Sequence, residues 1–314
     1  MQDLLNKITC GDCIKVLGKV SEPFADLIFA DPPFNIGYKY DKYHDEVASD
    51  KYIDWTRQWM TACKKVLKPA GSFYIAIGDD YAANVKIIAE EIGLFMRNWI
   101  IWHYTFGQQT KDKFARAHTH IFYFVDDPKK FTFNDYAVRV PSDRQLIYDD
   151  RRANPAGKMP DDVWEDSRVC GTFKERTGWH PCQMPESLLM RIIAVSSNAG
   201  DCVLDPFVGS GTTAAAAKKL GRNYVGVEIS TDYAKKARQR LKKLQTEAPN
   251  QLLLDATEIN EMKRLIPDMG ISPKQVLSNK DLLELFTSQF AIRMNCQKQY
   301  SATEIATALK GLTD

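Results

Sequence analysis

Two hydrophobic patterns alternate along the first 130 residues of the chain. Short apolar runs that predict buried strands lie at 8–10, 25–30, 72–77, 96–104 and 120–125. Apolar residues at helical spacing predict helices at 52–67 and 81–92. Strands separated by helices of this length indicate βαβ units and a mostly parallel, doubly wound α/β sheet.

The pattern changes near residues 126 and 169, and again near 250. Charged and turn residues dominate residues 126 to about 169 with little periodicity, which predicts an insertion that does not belong to the core. Regular patterning then returns, with strands and helices predicted at 185–196, 202–205, 212–220, 224–228 and 232–244. The remaining short helical patterns, at 252–265, 279–286 and 303–309, predict a small helical appendage.

Composition narrows the class of protein only slightly. The 314 residues are 44% hydrophobic and 26% charged, as is usual for a soluble globular protein. A formal charge of +2 is too small to indicate nucleic acid binding by itself, so any basic surface must be local. Seven cysteines, without a secretory leader, favour reduced thiols and a cytoplasmic protein. Cys10 and Cys13 have CxxC spacing, but no second closely spaced pair accompanies them, so no metal is expected.

The candidate chemistry begins at Asp31-Pro32-Pro33-Phe34, directly after the apolar run 25–30. Two prolines cannot continue a sheet ladder, so they predict a stiff turn at the carboxyl end of this strand, where α/β proteins bind ligands. A carboxylate beside a backbone carbonyl suits an amino group, and Phe34 offers a flat surface for a planar ring. The arrangement predicts a site for an amino-bearing nucleobase, while a simple strand-ending turn is the alternative.

A second candidate site is the glycine-containing segment 205–214, which joins a strand to a helix. Glycine lets the backbone approach a ligand, and a helix N-terminus favours an anionic group. A P-loop is excluded because no Gly-Lys-Ser/Thr follows. A dinucleotide, S-adenosylmethionine and a purely structural turn remain, since Glu228 ends the next strand in a position suited to ribose hydroxyls.

These motifs together resemble the amino-methylating DNA methyltransferases, specifically the β-class, in which the catalytic motif precedes the cofactor loop. Asp31 lies 174 residues before Asp205, in this permuted order. The resemblance covers residues 8 to about 245, including segment 98–102 with His120 downstream and the His-Pro-x-Gln-like element 180–186. It implies a seven-stranded Rossmann-like sheet. The domains implied are a catalytic region at 1–128, a target-recognition insertion at 129–168, a cofactor-binding region at 169–247 and an appendage at 250–314.

The resemblance also implies roles for individual residues. Asp31, Pro32, Pro33 and Phe34 would be catalytic, with Asp31 and the Pro32 carbonyl accepting hydrogen bonds from the target amine. The S-adenosylmethionine site would contain Asp12, Asp31, His180, Gln183, Pro185, Asp205, Phe207, Gly209, Ser210, Gly211, Thr212 and Glu228. Asp at the first motif position indicates N6 of an adenine flipped out of duplex DNA. N4 of cytosine, for which Ser is usual there, is the alternative, and a non-catalytic DNA-binding relative and a nicotinamide dehydrogenase are others.

Contacts to double-stranded DNA are expected from the insertion and from the segment after the catalytic motif. The candidates are Asn35, Tyr38, Lys129, Lys130, Arg139, Arg144, Arg151 and Arg152. For most of the basic residues a solvated loop is the alternative. Segment 38–51 is expected to order over the flipped base. The appendage is either a DNA-binding module or a contact in a homodimer, and the sequence does not choose between them.

Overall fold

The computed structural model describes residues 2–38, 45–108, 110–146, 148, 152–154, 156–244, 254–294 and 300–312. Its strands are β1 (Lys7–Cys10), β2 (Ala25–Ala30), β3 (Leu67–Ile77), β4 (Phe95–Gln108), β5 (Arg116–Val125), β6 (Val163–Glu165), β7 (Cys202–Asp205) and β8 (Asn223–Glu228). The helices before the appendage are α1 (Cys13–Gly18), α2 (Ser49–Val66), α3 (Asp79–Glu91), α4 (Asp143–Leu146), α5 (Glu186–Ser196), α6 (Thr212–Lys219) and α7 (Thr231–Lys243). The appendage contains α8 (Ala256–Asp268), α9 (Pro273–Ser278), α10 (Lys280–Arg293) and α11 (Ala302–Lys310).

The described strands form one sheet in the order β1-β8-β7-β2-β3-β5-β4-β6. Every neighbouring pair is parallel except the two pairs that contain β5. The α/β class and the mostly parallel sheet are therefore confirmed. The sheet has eight strands where seven were expected, because the insertion contributes β6, a run of three residues that is too short to show a period-two pattern.

The core lies on both faces of the sheet. Ile28 and Ile75 face a cluster built with α1, α2 and α3, while Leu27 and Phe29 face the cluster that contains α5 and α6. Burial on both faces is the reason why β2 is apolar without alternation from Leu27 to Ala30.

The expectation that the insertion lies outside the core is wrong for some of its residues. Ala137 and Trp164 are 6% and 8% exposed and belong to the same cluster as Leu188 of α5. The guanidinium carbon of Arg191 lies 4.9 Å from the Trp164 ring centroid. Isolated buried residues within polar sequence carry no periodic signal, so the pattern could not identify them.

The appendage has a core of its own, in which Met262, Leu265, Phe286, Phe290 and Ile305 are buried. Helix α9, which was not predicted, is only six residues long and begins with a capping box at Ser272. Residues 245–253, where the appendage was expected to begin, lie outside the described portion of the chain. No helix among the described residues is long and apolar enough to cross a membrane.

Candidate active site

A cavity of about 840 Å³ opens at the carboxyl ends of β2, β7 and β8. It is lined by all four residues of the Asp31–Phe34 turn. Ten of the twelve expected cofactor residues also line it, namely Asp12, Asp31, His180, Gln183, Asp205, Phe207, Gly209, Ser210, Thr212 and Glu228. The two segments meet because β2 pairs with β7 in the register Ile28↔Leu204. Residues 174 positions apart in the sequence thus share one cavity.

The remaining two expected cofactor residues are not in the lining. Pro185 caps the N-terminus of α5. Gly211 caps α6 in the left-handed conformation, with φ of +79°, and a Cβ there would lie 3.1 Å from the Cβ of Ala237. Pro185 is therefore placed to start α5, and Gly211 to start α6 and pack against α7. These positions favour structural roles over direct contact with a ligand.

The Asp31–Phe34 turn is fixed by contacts with Tyr52 and Gly78. Tyr52 of α2 is 1% exposed and donates its hydroxyl hydrogen to the Pro33 carbonyl at 2.5 Å. Gly78, directly after β3, gives the Phe34 ring room, because a Cβ on Gly78 would lie 3.3 Å from Phe34 Cδ2. The turn is therefore fixed at its backbone and at its aromatic ring.

The segment after the turn is organised by Asp45, which the sequence did not single out. Asp45 is 2% exposed and accepts backbone hydrogen bonds from Asn35, Ile36 and Tyr38 at 2.8, 3.2 and 3.0 Å. Asn35 has a φ of +59° and donates its side-chain amide to the Val47 carbonyl at 2.9 Å. Asn35 lines the cavity, but these bonds commit its amide to shaping the loop.

The glycine loop between β7 and α6 presents backbone and hydroxyl groups to the cavity. Ser210 Oγ and Thr212 Oγ1 lie 2.8 Å apart, and Arg240 of α7 donates to Thr212 Oγ1 at 2.9 Å and to the Ser210 carbonyl at 3.1 Å. Phe207 anchors the other end, with its ring centroid 5.7 Å from that of Trp55. The loop is thus pre-shaped at the N-terminus of α6, where an anionic group is favoured.

Acidic side chains mark the region of the cavity near β1 and β8. Glu228 is 7% exposed and accepts from the backbone amides of Gly209 and Ser230, each at 2.8 Å. Each carboxylate oxygen has a second lone pair, so Glu228 can still accept from ligand hydroxyls. Asp12 caps α1 by accepting from the Lys15 amide at 3.0 Å and lines the same region of the cavity.

The 180–186 element forms another wall. Gln183 is 6% exposed and its amide bridges backbone groups, accepting from Thr177 and donating to Glu175, both at 2.8 Å. The His180 ring lies edge-on to that of Tyr233, with centroids 4.9 Å apart. Burial lowers the pKa of His180 to about 4, so its imidazole is neutral at physiological pH.

Two carboxyl groups in the cavity have strongly perturbed pKa values. Burial raises the pKa of Asp31 to about 8, and the negative charge of Asp205 adds to the rise. Burial likewise raises the pKa of Asp205 to about 7, a rise limited by a hydrogen bond from Thr213. Both carboxyl groups are buried, and the charge of one disfavours ionisation of the other. A cationic ligand would stabilise their ionised forms.

Several lining residues were given no role by sequence reasoning, including Trp102, although it lies in the matched segment 98–102. Trp102 and Tyr104, near the end of β4, line the cavity together with Thr119 of β5. Exposed Arg168 also lines it, and its guanidinium carbon lies 5.2 Å from the Tyr104 ring centroid. Apolar alternation within a strand signals burial only, so no sequence pattern could assign them to the site.

The expected DNA-contacting residues are not gathered in one place. Tyr38 lines the cavity and is 41% exposed. Lys129 and Lys130 are exposed but follow β5, whose antiparallel direction places them at the sheet edge opposite Asp31.

The other basic candidates belong to the insertion. Arg139 is bound within the protein, since its Nη2 lies 2.7 Å from Asp135 Oδ2. Arg144 and Arg152 are exposed. Arg151 lies outside the described residues, as does 39–44 of the segment expected to cover the base.

Comparison with known proteins finds one family and many relatives. A family model described as DNA methylase matches residues 25–239. The type II methyltransferase M.HpaI of Haemophilus parainfluenzae is 39% identical over 75% of this chain and 74% of its own length. The DNA adenine methyltransferase YhdJ of Escherichia coli (strain K12) is 39% identical over 74% of this chain and 81% of its own.

Solved structures share the fold at lower identity. The complex of M1.HpyAVI with SAM superimposes with a TM-score of 0.52 at 22% identity, covering 75% of this chain and 99% of that one. The cytosine-N4-specific PvuII DNA methyltransferase gives a TM-score of 0.58 at 18% identity, covering 84% of this chain and 92% of that one. The sheet architecture described above is therefore that of solved methyltransferase structures.

Proposed function

This chain belongs to the DNA methylase family, and we propose that it methylates N6 of an adenine flipped out of duplex DNA. It is an S-adenosylmethionine-dependent DNA methyltransferase. The observation that carries the proposal is the shared cavity, in which the Asp31–Phe34 turn faces the Gly209–Thr212 loop. Catalytic and cofactor motifs that are far apart in the sequence meet there at the carboxyl edge of the sheet, where α/β proteins bind ligands.

The cavity fits S-adenosylmethionine in its polar groups and its charge. Glu228 is suited to the ribose hydroxyls, and Asp12 lies in the same region for the adenine ring. Ser210 and Thr212, at the N-terminus of α6, suit the methionine carboxylate. The bound cofactor supplies a methyl group on a sulfonium sulfur. Asp31 and Asp205, whose pKa values are raised, would be stabilised as carboxylates by this positive charge.

Asp31 and the Pro32 carbonyl act on the target amine. The lone pair of an exocyclic amine is delocalised into the ring, so the amine is a weak nucleophile. Two acceptors at the amine hydrogens restore lone-pair density on nitrogen and stabilise the positive charge that develops as the N–C bond forms. One N6 proton must then leave. The carboxylate of Asp31 is a suitable first acceptor, because burial raises its pKa to about 8.

Phe34 positions the base whose amine reacts. Its ring lines the cavity and lies against Gly78, a position from which it can stack on a planar ring. An amine within duplex DNA is enclosed by base pairing, so the base must leave the stack, at a cost of a few kcal/mol. Asp at the first position of the motif favours adenine over cytosine, and the relative YhdJ is named a DNA adenine methyltransferase. The β-class assignment rests on the order of the motifs.

The deciding experiment measures the methylated nucleoside directly. Wild-type protein and the Asp31→Ala variant are incubated with labelled S-adenosylmethionine and duplex DNA, and the digested nucleosides are separated. Asp54→Ala, which removes an exposed carboxylate of α2, is the matched control. We expect N6-methyl-2′-deoxyadenosine from the wild type and the control but not from Asp31→Ala. Cofactor affinity, measured by calorimetry at about pH 6, where the Asp31 carboxyl is protonated in the unliganded protein, should differ by less than about threefold between each variant and the wild type.

Other outcomes would redirect the proposal. Labelled N4-methyl-2′-deoxycytidine would identify cytosine as the substrate, and no labelled nucleoside from the wild type would contradict DNA methylation altogether. Retained turnover in Asp31→Ala would remove Asp31 from the catalytic role. Sequencing genomic DNA from cells that express the protein gives the recognition sequence.

A further inference from the structure

A buried cluster of charged side chains joins the appendage to the methyltransferase sheet and its insertion. Arg264 of α8 and Arg293 of α10 are 1% and 4% exposed. Arg293 Nη1 donates to Asp268 Oδ2 at 2.7 Å, and Arg264 Nη2 donates to Glu261 Oε1 at 2.8 Å. Asp268 also pairs with Arg191 of α5. Burial alone would raise the pKa of Asp268, but the three arginines lower it well below its usual range.

Arg264 and Arg293 also donate hydrogen bonds to backbone carbonyls of the insertion. Arg293 donates to the Arg139 carbonyl from Nε at 3.1 Å and from Nη2 at 3.0 Å. Gln289, which is 0% exposed, donates to that carbonyl at 3.2 Å. Arg264 donates to the Ala137 carbonyl, at the end of a short 3₁₀ turn. The appendage therefore supplies donors to carbonyls that end a turn and have no helical partner.

The carbonyls held in this way lie at the neck of a loop, residues 141–157, and Arg144, Tyr148 and Arg152 are exposed among its described residues. Val140 and Lys158 form an antiparallel bridge across the neck, with N–H···O distances of 3.0 and 2.7 Å. Arg139 Nη1 donates across it to the Gly157 carbonyl at 3.1 Å. Both ends of the loop thus lie where Gln289 and Arg293 of the appendage donate hydrogen bonds to the insertion. The loop carries two of the exposed residues expected to contact DNA, Arg144 and Arg152.

We infer that the appendage positions loop 141–157 for DNA recognition, with Arg293 and Gln289 as the positioning residues. The inference rests on the proposed function, because the loop has this role only if the protein acts on DNA. Direct DNA binding by the appendage is less favoured by its charge. Its described residues include six Lys or Arg against seven Asp or Glu, and two of those cations, Arg264 and Arg293, are buried.

The buried cluster is well suited to this role. Removing charges from water is costly, and an apolar cluster of similar volume often stabilises a protein as well or better. Directional contacts from a guanidinium fork instead select one geometry of the groups it touches. A recognition loop needs such a fixed base, because side chains read a base edge only when their backbone is held in register.

Two variants remove the contacts with the neck while preserving the rest of the cluster. Arg293→Lys keeps a positive charge opposite Asp268, but one ammonium cannot also supply the forked contact to the Arg139 carbonyl. Gln289→Met removes the amide at similar volume. Val276→Ala is the matched control, because it weakens the appendage core without removing a donor to the neck.

For each protein we would measure KM for duplex DNA, kcat at saturating DNA, the Kd of S-adenosylmethionine and the Tm. The share of methylation at near-cognate genomic sites would be read by sequencing. Both neck variants should raise KM for DNA about three- to tenfold, which is the change expected from losing the free energy of one or two hydrogen bonds. They should also methylate near-cognate sites more often. Their kcat and cofactor Kd should stay within about twofold of wild type. Val276→Ala should lower Tm without these changes.

Three results would overturn the inference. The first is an unchanged KM and site preference in Gln289→Met, which decides the matter alone if Arg293→Lys fails to fold. The second is an equal change in Val276→Ala, which would make the effect one of general stability. The third is a parallel loss of cofactor affinity. Failure of the proposed function is distinguishable, since it would show as a wild-type protein that methylates no DNA.

Discussion

The imidazole of His180 lies against the backbone of Gly209, so closely that a Cβ on Gly209 would lie 2.7 Å from His180 Nε2. Gly209 also has a φ of +49°, in the left-handed region that disfavours larger residues. Space and backbone conformation therefore both require glycine at this position. The contact joins the 180–186 element to the glycine loop and closes one wall of the cavity.

Gly209→Ala should displace His180 and weaken S-adenosylmethionine binding by at least about tenfold, because a clash is added to roughly 1 kcal/mol of backbone strain. Calorimetry measures the affinity. Gly171→Ala is the control for strain alone, since Gly171 has a φ of +56° with nothing within 4 Å of its Cβ position. Equal effects of the two substitutions would show that contact with His180 is unimportant.

The raised pKa of Asp31 should make cofactor binding depend on pH. In the unliganded protein its pKa is about 8, above the ordinary value of 3.8, so unliganded folding stability falls as pH rises between these values. A cationic ligand favours the ionised form. Affinity for S-adenosylmethionine should therefore increase from about pH 6 to about pH 8 and then level off.

S-adenosylhomocysteine, whose sulfur is uncharged, should show a weaker dependence on pH in the same titrations. Asp31→Asn should bring the two ligands closer to a common pH profile, because the titrating carboxyl next to the sulfur is gone. Identical wild-type profiles for the two ligands would mean that Asp31 does not sense the charge on sulfur.

Glu228→Gln should weaken cofactor binding about ten- to a hundredfold, since it replaces charge-assisted hydrogen bonds. The glutamine also places an NH₂ group against the amide of Gly209 or of Ser230, from both of which Glu228 now accepts. Isothermal titration gives the change in affinity, and DNA binding should stay within about twofold. Glu165→Gln, on the exposed side of β6, serves as the control. Unaltered cofactor affinity would remove Glu228 from the binding site.

Tyr52→Phe should lower kcat several-fold while leaving cofactor affinity unchanged, because the Pro33 carbonyl loses the donor that fixes the catalytic turn. The free energy of unfolding should fall by about 1 kcal/mol. Tyr300→Phe is a suitable comparison, since it removes a hydroxyl bonded to Glu258 in the appendage. If both variants lose kcat equally, the turn does not depend on Tyr52.

Much of the fold and of the site could be predicted from the sequence, because their signals are local. Short apolar runs identified β2 and β7, and rigid or glycine-containing turns follow each of them. Asp45 was missed, since a buried carboxylate that binds three backbone amides resembles any surface aspartate in sequence. The hydrogen bonds from Arg293 to the Arg139 carbonyl were missed for a related reason, because contacts between distant segments leave no periodic pattern in the sequence.

The strand order has a consequence for the growing chain on the ribosome. β2 lies between β3 and β7, and β1 lies at an edge beside β8, so the late strands β7 and β8 lie between the early strands β1 and β2. The catalytic turn is synthesised first, yet its neighbours in the cavity emerge only with β7 and β8. A nascent chain released before residue 202 therefore lacks both the Gly209–Thr212 loop and Glu228, so the cavity is completed only when the late strands β7 and β8 have been added.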